Sequence, residues 1–307
     1  MSKDILSVEN ITMQFGGVVA VNNLSLHIPE GQIVALIGPN GAGKTTAFNC
    51  ITGVYEPTNG LVKFLDEPMV RNHPTGKMKK LYKGENPLLY TAEYHPADET
   101  KEQMLARDPL AGTGKIVSPT PDKITKLGIA RTFQNIRLFD NMTVEENVRI
   151  GLHNQIKYGM FSGIFRLPQY WQGEKKQHEK ALDLLSIFGM ENMGDVKAGS
   201  LPYGAQRRLE IVRALATNPS LLLLDEPAAG MNPHETAELM ENIIKIRDQF
   251  QIAILLIEHD MNLVMGICEG ICVLNYGRII AKGTAEEIQN NPVVIEAYLG
   301  KQKEAKA

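Results

Sequence analysis

A glycine-rich segment that ends in lysine and threonine is the strongest chemical signal in this sequence. Residues 38–45 read Gly-Pro-Asn-Gly-Ala-Gly-Lys-Thr and fit the pattern G-x-x-x-x-G-K-[ST]. Glycines let the backbone curl so that its N–H groups face phosphate oxygens, and a following helix points its positive end at the same oxygens. The segment therefore predicts a nucleoside triphosphate site, with the lysine at the β- and γ-phosphates and the threonine hydroxyl on Mg²⁺. The predicted binding residues are Gly38, Pro39, Asn40, Gly41, Ala42, Gly43, Lys44, Thr45 and Thr46.

Two adjacent carboxylates follow a run of four leucines. The run Leu221–Leu224 is typical of a parallel strand buried on both faces, and open α/β sheets bind ligands at the carboxyl ends of such strands. We expect Asp225 to hold Mg²⁺, commonly through water, and Glu226 to accept a proton from an attacking water molecule. The same tetrapeptide occurs at Leu65–Pro68, but it follows a half-polar strand, so we assign Asp66 and Glu67 to an exposed turn.

A histidine follows a second buried strand. Residues 253–257 form an unbroken apolar run that ends in Glu258 and His259. A lone histidine is usually structural, but one at the carboxyl end of a parallel strand can contact a γ-phosphate and hold the geometry of hydrolysis. We therefore interpret His259 as a catalytic residue.

Strand and helix patterns alternate along most of the 307 residues, which predicts an α/β fold with a parallel sheet. An apolar strand at 32–37 precedes the glycine-rich segment, and a helix at 44–52, closed by Gly53, follows it. Antiparallel strands are predicted on both flanks of this core. They are residues 6–15 and 20–28 around Gly16–Gly17, residues 61–65, and a hairpin at 271–275 and 278–281 around Tyr276–Gly277.

Two further regions differ from this alternation. Residues 140–198 read as a helical subdomain: Thr143 and Glu146 form a capping box, and residues 177–188 have helical apolar spacing. Residues 69–120 show no convincing strand or helix, and we interpret them as a surface insertion. Its basic run, Lys77–Lys83, is either a solvated loop or a contact for lipid headgroups or a partner.

Composition excludes several classes of protein. Hydrophobic content is 43%, charged content is 22% and the formal net charge is −3, so no basic field points to nucleic acid. The apolar runs are too short to cross a bilayer, and the first residues do not resemble a signal peptide. Work at a membrane would therefore need docking to the helices of other chains. We interpret Cys50, Cys268 and Cys272 as buried free thiols in a reducing compartment.

The order and spacing of these motifs resemble those of ABC-transporter nucleotide-binding subunits over nearly the whole chain outside the insertion. Two more segments carry the resemblance: Arg-Thr-Phe-Gln at 131–134 and Leu-Pro-Tyr-Gly-Ala-Gln at 201–206. The resemblance implies an α/β P-loop NTPase core with a parallel sheet, an antiparallel β subdomain and a helical subdomain. It implies one domain at 4–300 and a tail at 301–307.

The resemblance also assigns roles to residues. Gln134 would link Mg²⁺ and the attacking water to the helical subdomain, as both a metal ligand and a catalytic residue. Phe15 would stack on adenine. The signature segment, Leu201–Ala205, would close on ATP held by a second subunit, with Leu201 and Gly204 matching the family pattern.

Finer features narrow the resemblance to one branch. Residues 131–139, 227–233, 257–261 and 291–300 look like the ATPases of branched-chain amino-acid and urea importers, and most like the larger ATPase subunit of leucine/isoleucine/valine systems. The implied protein binds and hydrolyses ATP to energise an importer. It would be cytoplasmic and peripheral on the inner face of the cell membrane.

The implied partners are a second ABC ATPase subunit or a second copy of this chain, two integral-membrane permease subunits and, indirectly, a periplasmic or surface solute-binding protein. The alternatives are the ATPase of a urea or amide importer and a non-transport ABC ATPase of a soluble assembly. A metabolic P-loop kinase would not need Gln134, residues 201–206 and His259 together.

Three departures from the family pattern stand out. The usual signature reads Leu-Ser-Gly-Gly-Gln, whereas Pro202, Tyr203 and Ala205 stand here, and Pro202 lacks both the hydroxyl and a backbone donor. Asn232 replaces a common aspartate, and the insertion is not part of the usual pattern. If the partner is a different ATPase subunit, the two composite sites should be unequal, with slower hydrolysis where Leu201–Ala205 is used.

Overall fold

The computed structural model describes residues 3–73, 100–110, 113–153, 165 and 167–299. Its strands are β1 (Asp4–Phe15), β2 (Val18–Pro29), β3 (Ile33–Ile37), β4 (Asn59–Phe64), β5 (Glu67–Asn72), β6 (Ile129–Arg131), β7 (Leu221–Asp225), β8 (Ala253–Ile257), β9 (Gly270–Asn275) and β10 (Arg278–Gly283). Its helices are α1 (Lys44–Ile51), α2 (Lys101–Arg107), α3 (Pro121–Leu127), α4 (Val144–Leu152), α5 (Pro168–Ser186), α6 (Tyr203–Leu215), α7 (Pro233–Phe250), α8 (Met261–Ile267), α9 (Ala285–Gln289) and α10 (Pro292–Leu299).

The chain divides into two compact units. The first unit comprises Met1–Leu127 and Leu255–Ala307, and the second comprises Gly128–Ile254. Strand β8 contains the second point of division, and all five of its residues are buried.

The first unit contains an antiparallel sheet with the strand order β2-β1-β4-β5. Strand β1 pairs with β2 and β4 on its two sides, so that Val8 lies opposite Leu26 and Val62. All three of these side chains are fully buried. The predicted strands on either side of Gly16–Gly17 are confirmed. Because alternate residues of a strand point to the same side, the buried side chains of neighbouring strands form one apolar face.

The first unit also carries the strand that leads to the glycine-rich segment. Strand β3 is buried along its whole length and pairs in parallel with β9, with Ile37 opposite Val273. Strands β9 and β10 form the predicted antiparallel hairpin around Tyr276–Gly277. Helix α1 follows the segment and ends at Ile51, close to the predicted limit.

The second unit pairs β6 in parallel with β7, with Ile129 opposite Leu221 and Arg131 opposite Leu223. This register brings Arg131 and Asp225 to the same edge of the sheet. The predicted capping box at Thr143 is confirmed at the start of α4. Helix α5 begins at Pro168, earlier than the predicted residue 177. Its first turns are largely exposed and show no apolar periodicity, and a proline is well suited to the first helical turn.

The expectation that residues 69–120 contain no strand or helix is wrong for the described ends, although most of the described residues at 100–120 are exposed, as predicted. Strand β5 extends to Asn72 and pairs with β4, and helix α2 occupies Lys101–Arg107. Arg71 and Val117 exchange two backbone hydrogen bonds of 2.8 Å each. The basic run Lys77–Lys83 lies outside the described residues.

A buried ion pair joins these two ends. Arg71 Nε donates to Asp108 Oδ2 at 2.9 Å, and Arg71 Nη1 donates to the Lys115 carbonyl at 2.6 Å. The two charged side chains are 0% and 1% exposed. Sequence reasoning missed this pair because its members lie far apart along the chain and neither belongs to a periodic pattern.

The three cysteines are free and buried, as predicted. Burial raises the pKa of the Cys50 and Cys268 thiols to about 12, so both thiols are protonated at neutral pH. Across the described residues, every helix is too short or too polar to span a bilayer.

We expect Asp108→Asn to lower the free energy of unfolding by about 3–5 kcal/mol, because it leaves the buried Arg71 charge without its counter-ion. Urea denaturation measures the effect. The matched control is Asp66→Asn, which removes an exposed ion pair with Lys3 and should cost about 0–1 kcal/mol. Equal losses in the two variants would contradict the role of the buried pair.

Candidate functional site

The glycine-rich segment forms a loop between β3 and α1, with backbone geometry that excludes other side chains at two positions. Gly38 has φ +154°, and a Cβ at this residue would lie 2.0 Å from the Leu274 carbonyl oxygen. Gly43 has φ +103°, and its Cβ would lie 2.4 Å from the Ala20 carbonyl oxygen. The loop therefore packs backbone against backbone.

Lys44 is 6% exposed although it carries a charge. Its Nζ donates to the carbonyl oxygens of Gly38 and Pro39, at 2.7 and 3.0 Å. These bonds hold the ammonium group against the loop. Thr45 is exposed in the first turn of α1, where backbone N–H groups have no partner within the helix. This arrangement suits an anion with a cation beside it.

Phe15 and His259 also belong to the first unit. Phe15 is 43% exposed at the end of β1, and its ring meets the Tyr55 ring edge-on with centroids 5.4 Å apart. His259 is exposed just after β8. The buried Glu258 carboxylate accepts hydrogen bonds from the backbone N–H groups of His259 and Asp260, at 2.8 and 3.3 Å. These bonds fix the backbone that carries the histidine.

A cavity of about 430 Å³ lies beside the loop on the first unit. Its lining includes Pro39–Ala42, Tyr276 and Glu296. Helix α10 also brings Tyr298 to the loop. Burial raises the pKa of the Tyr298 hydroxyl to about 12, and a hydrogen bond with the Gly38 backbone opposes that shift. The loop is thus braced from its side by the C-terminal helix.

In the second unit, Asp225 ends β7 and is 1% exposed. Its Oδ2 accepts a hydrogen bond of 2.8 Å from Arg131 Nη2, and its backbone N–H donates to Thr132 Oγ1 at 3.2 Å. Its Oδ1 is buried and accepts no hydrogen bond from the described residues. A buried carboxylate oxygen of this kind is a suitable ligand for a hard cation or its bound water.

Glu226 follows directly but is held differently. It is partly exposed and has φ +50°, a left-handed conformation that costs about 1–3 kcal/mol for a residue other than glycine. Its Oε2 accepts a hydrogen bond of 3.1 Å from Gln134 Nε2. The structure therefore brings together three predicted site residues of this unit, Gln134, Asp225 and Glu226.

The signature segment lies at the start of α6. The helix begins at Tyr203, with Pro202 as its N-cap. Leu201 is 7% exposed, and a Cβ on the buried Gly204 would lie 2.8 Å from Glu235 Oε1. A proline is tolerated at the N-cap because the N–H groups at the start of a helix have no partner within the helix.

Three further residues lie outside this cluster of acids: Asn232, Asp66 and Glu67. The Asn232 side chain accepts hydrogen bonds of 3.0 Å from the backbone N–H groups of His234 and Glu235, and so caps α7. Asp66 lies in an exposed turn, as predicted, and Glu67 is exposed at the start of β5.

Sequence reasoning missed the two arginines that surround the acid pair. Arg131 is the partner of Asp225, and Arg207 is a fully buried residue of α6 whose guanidinium contacts the backbone of Gln134 and Glu226. One signal was available for Arg207: Glu210 lies three residues further along the same helix, and both interrupt a largely apolar face.

We expect Gly38→Ala to destabilise the protein by about 1–3 kcal/mol more than Gly31→Ala, because of the added collision with the Leu274 carbonyl. Gly31 is the matched control: it also has a positive φ, of +70°, but its Cβ would meet nothing within 4 Å. Urea denaturation of both variants measures the difference. Equal losses would show that the backbone at Gly38 can move away.

Comparisons with known proteins identify the family. A family model described as ABC transporter matches residues 21–89 and 103–229, and one described as branched-chain amino acid ATP-binding cassette transporter matches residues 278–304. The high-affinity branched-chain amino acid transport ATP-binding protein LivG of Salmonella typhimurium is 43% identical, covering 98% of this chain and 99% of its own length. The corresponding protein BraF of Pseudomonas aeruginosa is 40% identical over the same shares.

Solved structures give the same result. The crystal structure of the ADP conformation of MJ1267, an ATP-binding cassette of an ABC transporter, is 27% identical with a TM-score of 0.71, and covers 98% of this chain and 100% of that chain. The chain therefore belongs to the ABC transporter family of ATP-binding cassettes, and its nearly full-length likeness to LivG and BraF makes it a transport ATPase subunit.

Proposed function

We propose that this protein binds and hydrolyses ATP to energise an importer of branched-chain amino acids. LivG and BraF are high-affinity branched-chain amino acid transport ATP-binding proteins, and their similarity to this chain over nearly its full length supports the solute class. The observation that carries the hydrolytic role is the contrast within one dipeptide. Asp225 is buried with one carboxylate oxygen unused, whereas Glu226 is accessible and hydrogen-bonded to Gln134.

The phosphate loop would bind the β- and γ-phosphates through its backbone N–H groups and Lys44. The residues that would hold Mg²⁺ are Thr45, Gln134 and Asp225, which offer the hydroxyl, amide and carboxylate oxygens that this cation prefers. The buried, unused Oδ1 of Asp225 fits such a ligand set. Bound Mg²⁺ would neutralise charge on the phosphate oxygens.

Glu226 would act as the general base, taking a proton from the water that attacks the γ-phosphate. The Gln134 amide donates to the carboxylate and would keep it aimed at that water. His259 would steady the γ-phosphate as charge develops. Phe15 has the exposure that stacking on adenine requires, and Leu201 and Gly204 would present the start of α6 to ATP on a second subunit.

The remaining parts of the proposal concern the assembly. One domain over residues 4–300, with its helical subdomain at about 140–198, would pair with a second ATPase subunit or a second copy. The pair would dock on two membrane-embedded permease subunits at the inner face of the cell membrane. A solute-binding protein would deliver the amino acid from the other side.

We expect Glu226→Gln to bind ATP with unchanged affinity but to slow ATP turnover by about 10²–10⁴-fold, because the amide cannot accept the proton. A fluorescent ATP analogue measures affinity, and phosphate release measures turnover. The matched control is Glu67→Gln, which makes the same change in the repeated Leu-Asp-Glu-Pro tetrapeptide and should leave both quantities unchanged. Near-normal turnover in Glu226→Gln would refute the assignment of the base.

We expect cells that lack this gene to lose uptake of radiolabelled leucine, and only the wild-type gene, not Glu226→Gln, to restore it. Uptake of radiolabelled urea in the same cells should not change. Loss of urea uptake with normal leucine uptake would move the protein to the urea branch. No change in either would contradict the importer role and favour a soluble assembly.

A further inference from the structure

A fully buried arginine connects the start of α6 to the backbone of the two residues proposed to handle the attacking water. Arg207 is 0% exposed and lies just after the signature segment. Its Nη2 donates to the carbonyl oxygens of Gln134 and Glu226, at 2.8 and 3.0 Å. One nitrogen atom thus bridges two segments that are distant in the sequence.

The other end of the guanidinium is fixed by a second buried charge. Arg207 Nη1 donates to Glu210 Oε2 at 2.7 Å and to the Phe133 carbonyl oxygen at 2.5 Å. Glu210 is 2% exposed, and its Oε1 accepts from the backbone N–H groups of Phe133 and Arg137, at 3.4 Å each. Because an arginine fork is planar and rigid, these contacts fix its orientation.

The backbone of Glu226 needs such an anchor. Its positive φ is a conformation that persists only when surrounding contacts hold it. The Arg207 bond to the Glu226 carbonyl supplies one of these contacts, and the bond to the Gln134 carbonyl fixes the residue whose side chain meets Glu226. Both ends of the Gln134–Glu226 hydrogen bond are therefore tied, through their main chains, to the same nitrogen atom.

We propose that Arg207 is a positioning residue that holds Gln134 and Glu226 at their working separation and couples it to the start of α6, with Glu210 orienting the guanidinium. The inference rests on the proposed function in taking Glu226 as the general base. Reacting groups that are displaced by about 1 Å lose about 10²-fold in rate, so an anchor of this kind affects turnover more than nucleotide binding.

The rival explanation is that the buried pair only stabilises the fold. The double variant Arg207→Met/Glu210→Met separates the two, because well-packed apolar side chains can replace a buried ion pair without loss of stability. In the full-length chain, co-purified with its transporter subunits, we expect its KM for ATP to stay near wild type. Its melting temperature should fall only modestly, because apolar packing offsets part of the loss of hydrogen bonds to the backbone. Its kcat should fall by about 10–100-fold.

Two single variants complete the series. Arg207→Lys keeps the charge but lacks the fork, so we expect it to restore only a small part of kcat. The matched control is Arg208→Met on the same helix, which loses a surface contact of 3.3 Å with Glu238 and should keep wild-type kcat. Wild-type kcat in the stable double variant would overturn the proposal, as would full activity in Arg207→Lys.

A cycle with Glu226→Gln separates this inference from the proposed function. If Arg207 acts through Glu226, adding Arg207→Met/Glu210→Met to Glu226→Gln should slow single-turnover hydrolysis no further. Multiplied effects would overturn the inference while leaving Glu226 as the base. Near-normal hydrolysis in Glu226→Gln alone would instead refute the proposed function, and the inference with it.

Discussion

The constraint on which the first unit depends is the backbone contact around the glycine-rich loop. Gly38 and Gly43 lie so close to the carbonyl oxygens of Leu274 and Ala20 that no side chain fits. The Gly277 N–H donates to the Ala42 carbonyl oxygen at 2.8 Å, and the Asn22 N–H donates to the Gly277 carbonyl oxygen at the same distance. The loop thus keeps its shape through contacts with β2 and with the β9–β10 hairpin.

In the second unit, two arginines stabilise the two acidic residues of the site. Asp225 and Glu226 stand at the end of an apolar strand, where a carboxylate and a left-handed backbone are both unfavourable. Arg131 compensates the charge of Asp225, and Arg207 anchors the backbone of Glu226. Each acid is therefore held by a different arginine. The pairing leaves one oxygen of Asp225 for a ligand and the Glu226 carboxylate accessible to water, so stability and chemistry depend on the same contacts.

The separation of contacting residues along the chain explains how far the structure could be predicted from the sequence. Contacts between neighbouring residues leave local patterns, so the loop at 38–45, the hairpin at Tyr276–Gly277 and the capping box at Thr143 could be predicted. Arg131 and Asp225 lie 94 residues apart, and no local pattern connects them. The same holds for Arg71 and Asp108, so the strand, the helix and the ion pair at the two ends of residues 69–120 could not be predicted from local patterns.

The signature segment differs from the family pattern in its side chains but keeps the start of helix α6. Pro202 lacks an N–H, but it is the N-cap of α6, and a proline there does not remove a hydrogen bond within the helix. Tyr203 replaces a glycine, and its ring packs beside Gly230, where an added Cβ would lie 3.1 Å from Cε1. The backbone N–H groups in the first turn of α6 are kept. The substitutions therefore remove side-chain chemistry from the segment but retain the helix start, the part that favours negative charge regardless of sequence.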